Sequence, residues 1–200
     1  MIIKVCGLTQ PKNTDDIINL GVDMIGLNFY PPSLRMVHAP YPISNSNVQK
    51  VGVFVNETYE KIAITIDAFG LDMVQLHGDE NQVKVKKISK LAPVVKVFRI
   101  GNNFDYEQLK ADWNCSFFLF DTASKDYGGT GLKFDWNVLE KLEISSPFLL
   151  SGGIGSDDIP SLKVVNHPQF LGIDINSKFE SSPGVKSINL VRAFLDKLHG

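Results

Sequence analysis

Two side chains that can exchange protons follow short apolar segments far apart in the sequence. Cys6 ends the run 2–5, and Asp121 ends the run 117–120. A glycine-rich loop, 127–131, follows the aspartate and could close over it as a lid. A carboxyl group and a thiol in one cleft can perform general acid and base catalysis. Each also has an ordinary structural role, since aspartates cap turns and buried cysteines act as small core hydrophobes.

The segments that must position these groups alternate between strand-like and helix-like patterns. Eight short apolar runs are spaced along the chain, at residues 2–6, 24–29, 51–55, 73–76, 94–98, 117–121, 148–151 and 170–175. Amphipathic segments such as 57–69 and 187–198 have helical periodicity. Pro11 and Gly21 are placed to open and close a first helix, and Asp157 and Asp158 to begin another.

This alternation predicts an α/β fold. Runs that are apolar on both faces are typical of parallel strands covered by helices. Eight repeats predict closure into a (β/α)8 TIM barrel, with eight parallel strands inside an outer ring of helices. An open doubly wound sheet is the alternative. The chain has 200 residues and no linker-like segment, so we expect a single TIM-barrel domain over residues 1–200.

Net charge, cysteine spacing and the lengths of the apolar runs limit the partners and the compartment that we expect for this protein. The formal net charge is -2, so there is no basic excess for nucleic acid, and we expect no nucleic-acid partner. The two cysteines, Cys6 and Cys115, are far apart and have no neighbouring histidine, which predicts no metal site and a reducing compartment. The first residues are strand-like, and no run of about 18 apolar residues occurs. We therefore expect a cytoplasmic protein with no membrane contact.

In a barrel the carboxyl ends of all strands face one mouth, so the polar residues after the strands should meet there. They include Cys6, Asp121 and the segments 151–153 and 174–177. Loops after the last two strands of such barrels often bind phosphate through backbone amides. Gly152, Gly153 and Ser177 therefore predict a phosphorylated substrate, although the glycines could simply permit a tight turn.

Two further side chains near the expected mouth have more than one interpretation. Arg35, in the loop 31–35, could bind a second anion through its planar guanidinium, or it could be a solvated loop residue. His77 could polarise a substrate group, although the sequence slightly favours a turn-capping role.

Six motifs, in order along nearly the whole chain, carry a resemblance to a known family. They are KVCGLT at 4–9, VGVFVN at 51–56, QLHG at 75–78, FDT at 120–122 with GGTG at 128–131 and FDW at 134–136, LSGGI at 150–154, and ESSPGVK at 180–186. Together they resemble phosphoribosylanthranilate isomerase. The resemblance implies an eight-stranded barrel in tryptophan biosynthesis that needs no metal or redox cofactor.

The family's reaction is an Amadori rearrangement of N-(5'-phosphoribosyl)anthranilate to 1-(o-carboxyphenylamino)-1-deoxyribulose 5-phosphate. The resemblance implies that Asp121 is the general acid that protonates the furanose ring oxygen, and that Cys6 is the general base that takes the C2' proton. It matches Arg35 to the contact with the anthranilate carboxylate, and Gly152, Gly153 and Ser177 to the phosphate site. We place the substrate-binding residues at Arg35, His77, Gly129, Gly152, Gly153, Asp174, Ser177 and Lys178. The expected partner is a small phosphorylated aminosugar.

The sequence departs from the family pattern at two loops. Family members commonly read SSGVE after the last strand, whereas this chain reads NSKFE at 176–180, so Lys178 stands at an expected phosphate contact. Its backbone amide can still donate, and its ammonium adds positive charge. Around Arg35 the usual SPRY reads SLRM at 33–36.

A cysteine with an ordinary pKa of about 8.5 is a poor base at neutral pH. Lys4 is two residues before Cys6, so both side chains should face the barrel interior. We predict that Lys4 lowers the pKa of the Cys6 thiol. Lys4 could instead pair with an interior acid such as Asp174, and the two roles are compatible.

Two other functions remain open from the sequence. One is another barrel acting on a phosphorylated sugar, such as a ketopentose-phosphate epimerase, but its metal ligands have no counterpart in His38, His77, His167 and His199. The other is a non-catalytic binder of a phosphorylated ligand, against which the intact Cys6, Asp121 and lid glycines argue. Both a monomer and a homodimer are compatible with the sequence, as is activity on the related aminoaldose of histidine synthesis.

Overall fold

The computed structural model describes residues 1–44, 47–122 and 134–200. Its eight parallel strands close into a barrel in sequence order. They are β1 (Ile2–Cys6), β2 (Met24–Asn28), β3 (Gln49–Phe54), β4 (Met73–Leu76), β5 (Val94–Ile100), β6 (Phe117–Thr122), β7 (Phe148–Leu150) and β8 (Phe170–Ile175). The predicted barrel is confirmed, and the open-sheet alternative is wrong, because β1 pairs with both β2 and β8.

Helices cover part of the barrel exterior. They are α1 (Pro11–Ile18), α2 (Tyr59–Phe69), α3 (Gln82–Ile88), α4 (Ile159–Lys163) and α5 (Ile188–His199). After β5 and β6 the described chain forms 3-10 turns, Tyr106–Lys110 and Trp136–Lys141, where α-helices would complete the ring. A short antiparallel hairpin, β9 (Glu180–Ser182) and β10 (Val185–Lys186), follows β8. No helix of the described residues has the length and apolarity needed to cross a bilayer.

Local signals explain the helix boundaries. Pro11 occupies the first turn of α1, where its missing N–H has no helical partner to lose. The Thr58 side chain accepts a hydrogen bond from the Lys61 amide, so α2 begins at Tyr59 rather than at residue 57. The first helix ends at Ile18, before the predicted Gly21, which lies in the turn that follows.

Alternation along the strands divides the barrel into two cores. Outward side chains pack under the helices, and a smaller apolar cluster fills the lower part of the interior, with members Met24, Val51, Met73, Val95, Val97, Phe117, Leu119 and Leu149. Above this cluster the inward positions become polar at the carboxyl ends of the strands. These positions are Lys4, Cys6, Gln75, Asp121 and Asp174. The apolar lower layers therefore form a floor beneath a polar mouth.

Candidate active site

One cavity at the mouth of the barrel is lined by nearly all of the residues predicted for the site. They are Cys6, Arg35, His77, Asp121, Gly152, Gly153, Asp174, Ser177 and Lys178. Gly129 and the rest of the loop 127–131 lie outside the described residues. Parallel strands explain the convergence, because each carboxyl end opens toward the same side of the barrel.

Cys6 lies beside a buried ion pair inside the barrel. Lys4 Nζ donates to Asp174 Oδ2 at 2.6 Å, and the Lys4 side chain is fully buried. Burial is the largest single effect on the pKa of Lys4 and lowers it, but attraction and hydrogen bonding to Asp174 and Cys6 together outweigh burial, so the pKa is raised. Burial raises the pKa of the Cys6 thiol, and the charge of Lys4 opposes the increase without reversing it. The predicted lowering by Lys4 is therefore one of two opposing effects, and burial is the larger.

Asp121 is held in a chain of side-chain hydrogen bonds. His77 Nε2 lies 3.1 Å from Asp121 Oδ2, and His77 Nδ1 lies 3.0 Å from Gln75 Nε2. An amide nitrogen can only donate, so Nδ1 accepts and Nε2 carries the proton that it donates to Asp121. The other carboxylate oxygen, Oδ1, accepts from the Thr122 amide at 2.9 Å. Both ring contacts of His77 are thus made to side chains, which differs from the turn-capping role that the sequence slightly favoured.

Burial and hydrogen bonding act on Asp121 in opposite directions. Burial favours the neutral carboxylic acid and raises its pKa, whereas the hydrogen bonds that the carboxylate accepts from His77 and from the Thr122 amide lower it. The net effect is a pKa below the ordinary range of an aspartate. The carboxylate form is therefore stabilised at neutral pH.

Two oxygen atoms at the cavity are buried and have no hydrogen-bond partner among the described residues. They are Gln75 Oε1 and Asp174 Oδ1. Both side chains line the cavity, and both are almost fully buried. A buried acceptor without a partner costs free energy, so these atoms are suited to hydroxyl groups of a ligand.

The loop after β7 combines backbone geometry with a close approach to Asp121. Gly152 and Gly153 have φ angles of 87° and 74°, in the left-handed region that favours glycine. A Cβ atom on Gly152 would lie 2.7 Å from the Thr122 amide nitrogen and 3.0 Å from Asp121 Oδ1. Glycine therefore allows this loop to pack directly against the end of β6. Lys178 and Ser177 line the same cavity from the loop after β8.

Arg35 is anchored to the β9–β10 hairpin. Its Nε and Nη2 donate to the two carboxylate oxygens of Glu180 at 2.8 and 2.6 Å. Glu180 also accepts from Lys186 Nζ at 2.7 Å and from the Gly184 amide at 3.0 Å. Burial would raise the pKa of Glu180, but these donors lower it to about 2. Arg35 is thus paired rather than simply solvated.

Three side chains at the site, Gln75, Glu180 and Lys186, were not expected there from the sequence. Gln75 could have been found, because it is two residues before His77 on a strand and must face the same side. Glu180 and Lys186 stand inside the motif ESSPGVK, but Arg35, the partner of Glu180, is 145 residues from it in sequence. Nothing local in the sequence indicates that contact.

The described residues contain no group of three or more histidine, cysteine or acidic side chains arranged to hold a metal ion. The chemistry available at the mouth is that of Asp121, His77 and Cys6. Positive charge is supplied there by Arg35 and Lys178.

The sequence matches a family model and several curated proteins. The model described as N-(5'phosphoribosyl)anthranilate (PRA) isomerase matches residues 3–197. The N-(5'-phosphoribosyl)anthranilate isomerase of Phocaeicola vulgatus is 40% identical over 201 residues, which cover 99% of this chain and 98% of the relative. The protein of that name from Parabacteroides distasonis is 37% identical over 206 residues, with 99% and 93% coverage.

Solved structures give the same match. Phosphoribosyl anthranilate isomerase from Thermotoga maritima superposes with a TM-score of 0.84 at 30% identity, covering 100% of both chains. A structure at TM-score 0.80 and 28% identity, also covering both chains fully, is of a phosphoribosyl anthranilate isomerase in complex with reduced 1-(o-carboxyphenylamino)-1-deoxyribulose 5-phosphate. The isomerase from Thermus thermophilus has a TM-score of 0.87 at 24% identity, covering 100% of this chain and 98% of that one, and supports the fold alone.

Proposed function

The chain belongs to the N-(5'-phosphoribosyl)anthranilate isomerase family, and we propose that Asp121 and Cys6 are the acid and base of its reaction. The family enzyme of tryptophan biosynthesis converts an aminoaldose into an aminoketose by moving a proton from C2' to C1'. The observation that supports this assignment is the single cavity lined by Asp121, Cys6, Arg35 and the loops after β7 and β8.

We assign the two anionic ends of the substrate to opposite parts of this cavity. The phosphate binds at Gly152, Gly153, Ser177 and Lys178, where backbone amides and an ammonium are available. The anthranilate carboxylate binds Arg35, whose planar guanidinium matches a carboxylate. Anchoring both ends holds the pentose between them, next to the acid and the base.

Asp121 protonates the furanose ring oxygen, and the bond from C1' to that oxygen breaks to give a protonated Schiff base. The carboxyl group must be protonated for this step, although His77 favours its carboxylate form before substrate binds. Bound substrate excludes water and adds the negative charge of its phosphate and carboxylate. Both effects raise the pKa of a carboxyl group, so substrate binding favours the protonated form of Asp121.

Cys6 then takes the proton from C2', and the electron pair of that bond flows to the Schiff base to form an enolamine. The Lys4 and Lys186 charges favour the thiolate that this step requires, against the cost of burial. Protonation of C1' and loss of the hydroxyl proton on C2' complete the ketone. The rearrangement consumes no net proton.

Three residues complete the assignment of the pentose site. Gln75 Oε1 and Asp174 Oδ1, the buried acceptors without a protein partner, accept hydrogen bonds from sugar hydroxyls. His77 holds Asp121 in place through Nε2. Each would contribute to orientation rather than to the proton transfers themselves.

A fluorescence assay tests the proposed roles. Purified protein is mixed with freshly generated phosphoribosylanthranilate, and the loss of anthranilate-type fluorescence is followed. We expect turnover by the wild type, and rates lower by about 100-fold or more for Cys6→Ser and Asp121→Asn. Binding of reduced product analogue by both variants is the control for folding. Wild-type binding without turnover would contradict catalysis and favour a non-catalytic binder.

We also propose where the enzyme is located and how many domains it has. We place the enzyme in the cytoplasm, because its substrate and product are multiply charged and do not cross bilayers unaided. We treat residues 1–200 as one domain, because β1 and β8 are paired and the barrel therefore needs both halves of the chain.

A further inference from the structure

We propose that Glu180 and Lys186 are positioning residues that aim Arg35 at the aromatic carboxylate of the substrate and keep that subsite positively charged. The proposal rests on the carboxylate-binding role assigned to Arg35 above. It makes the buried Glu180–Lys186 pair a determinant of specificity for substrates whose aryl group carries a carboxylate.

Glu180 occupies one edge of the Arg35 guanidinium. Its two oxygens accept from Nε and Nη2, which are the side-on pair of donors. A guanidinium has five N–H donors, so the end-on pair formed by Nη1 and the second Nη2 hydrogen stays available. That end-on pair is also spaced for a planar carboxylate. Glu180 therefore orients Arg35 without using the edge that the substrate needs.

Lys186 supplies the charge that Glu180 would otherwise cancel. Arg35 and Glu180 together are neutral, and the ammonium of Lys186, 2.7 Å from Glu180 Oε1, returns the cluster to one net positive charge. The Lys186 side chain is fully buried, so water screens its charge weakly. An arriving carboxylate therefore meets a positive site.

The network is fixed to the barrel at several points. The Asn13 side chain bonds both the amide nitrogen and the carbonyl oxygen of Lys186, at 2.8 Å each. Lys186 Nζ also donates to Asn176 Oδ1 at 2.6 Å, next to the proposed phosphate loop. A Cβ on Gly7 would lie 2.7 Å from Arg35 Cδ, so Gly7 lets the arginine stem pack against the end of β1 beside Cys6.

The experiment compares two probes that differ only in the aromatic carboxylate. One is reduced 1-(o-carboxyphenylamino)-1-deoxyribulose 5-phosphate, and the other is the same molecule with an unsubstituted phenylamino group. Calorimetry gives the Kd of each, and their ratio measures discrimination. We expect Lys186→Met to reduce the ratio by roughly 10-fold or more, because it removes the net positive charge of the cluster. Glu180→Gln adds a positive charge but removes the two-point contact that orients Arg35, and we expect the loss of orientation to dominate and to reduce the ratio by a similar factor. Affinity for the carboxylate-free probe should stay within about twofold of wild type in both variants.

Matched controls separate this proposal from the proposed function. Lys110→Met and Glu107→Gln change an exposed ion pair by the same charges and should leave the ratio unchanged. Arg35→Ala should abolish discrimination. A ratio within about twofold of wild type in either folded variant, with Arg35→Ala still losing discrimination, overturns the positioning role alone. Equal binding of both probes by the wild type overturns the role of Arg35 as well.

Circular dichroism checks the folding of each variant. If Lys186→Met does not fold, the ratio measured for Glu180→Gln decides whether the positioning role holds.

Discussion

His77 Nε2 lies 3.1 Å from Asp121 Oδ2, inside a cavity that also holds Cys6. This contact favours the carboxylate of Asp121, whereas burial favours the thiol of Cys6. At neutral pH these effects hold the proposed acid, Asp121, deprotonated and the proposed base, Cys6, protonated. The proposed mechanism requires a carboxylic acid and a thiolate, which is the same number of protons in the opposite places.

The histidine contact predicts a change in pH dependence. His77→Ala removes the donor that lowers the pKa of Asp121, so that pKa should rise and the carboxyl limb of the kcat/KM profile should move to higher pH. We expect kcat to fall by about 10-fold, because the acid also loses its orientation. An unshifted limb in the variant would contradict the proposed link between His77 and Asp121.

The environment of Cys6 predicts its reactivity. Because burial raises its pKa, iodoacetamide alkylation of Cys6 should titrate above the range of an ordinary thiol. Lys4→Met should move the midpoint higher still, since the Lys4 charge lowers the pKa. The modified peptide is quantified by mass spectrometry, with Cys115, whose pKa is raised to about 11, as the internal comparison. An unchanged midpoint would rule out the electrostatic role of Lys4.

Lys178 tests the phosphate assignment. Lys178→Ala should raise KM more than it lowers kcat, by roughly 10-fold in KM, because the lysine would bind a group that does not react. Steady-state kinetics measure both constants. Lys163→Ala, an exposed lysine on α4, is the matched control and should leave both unchanged. If KM of Lys178→Ala equals that of wild type, Lys178 does not bind phosphate.

Glu180 predicts a loss of stability in acid. Its pKa in the folded protein is about 2, below the ordinary value of 4.5, so its ionised form stabilises the fold above about pH 4.5. That contribution is lost as pH falls from about 4.5 toward about 2. The Tm of Glu180→Gln should therefore fall less steeply than that of wild type over this interval. If the Tm of wild type and of Glu180→Gln fell in parallel, the pKa of Glu180 would be the same in the folded and the unfolded protein.

The strands were predictable because their signal is local. Each predicted strand is present within two residues at either end, since apolar runs bounded by polar turns define them. The 3-10 turns Tyr106–Lys110 and Trp136–Lys141 were not predicted. Each turn buries one residue, Leu109 or Leu139, so it carries no apolar periodicity that sequence could reveal.

Strand order alone could place site residues that stand at the end of a strand. Cys6, Asp121 and Asp174 could be placed together once eight parallel strands were expected. The contact between Arg35 and Glu180 could not, because it joins the loop after β2 to a hairpin after β8. The balance between burial and nearby charge at Cys6 likewise depends on distances that only the folded chain defines.

The most direct test of Asp121 as acid and Cys6 as base uses substrate deuterated at C2'. Deuterium slows removal of the C2' proton but not ring opening, so the kinetic isotope effect shows which step limits each variant. Single-turnover fluorescence gives the rates. We expect a larger isotope effect for Cys6→Ser than for wild type, and an effect near unity for Asp121→Asn. The reverse pattern, with the larger effect in Asp121→Asn, would contradict the assignment.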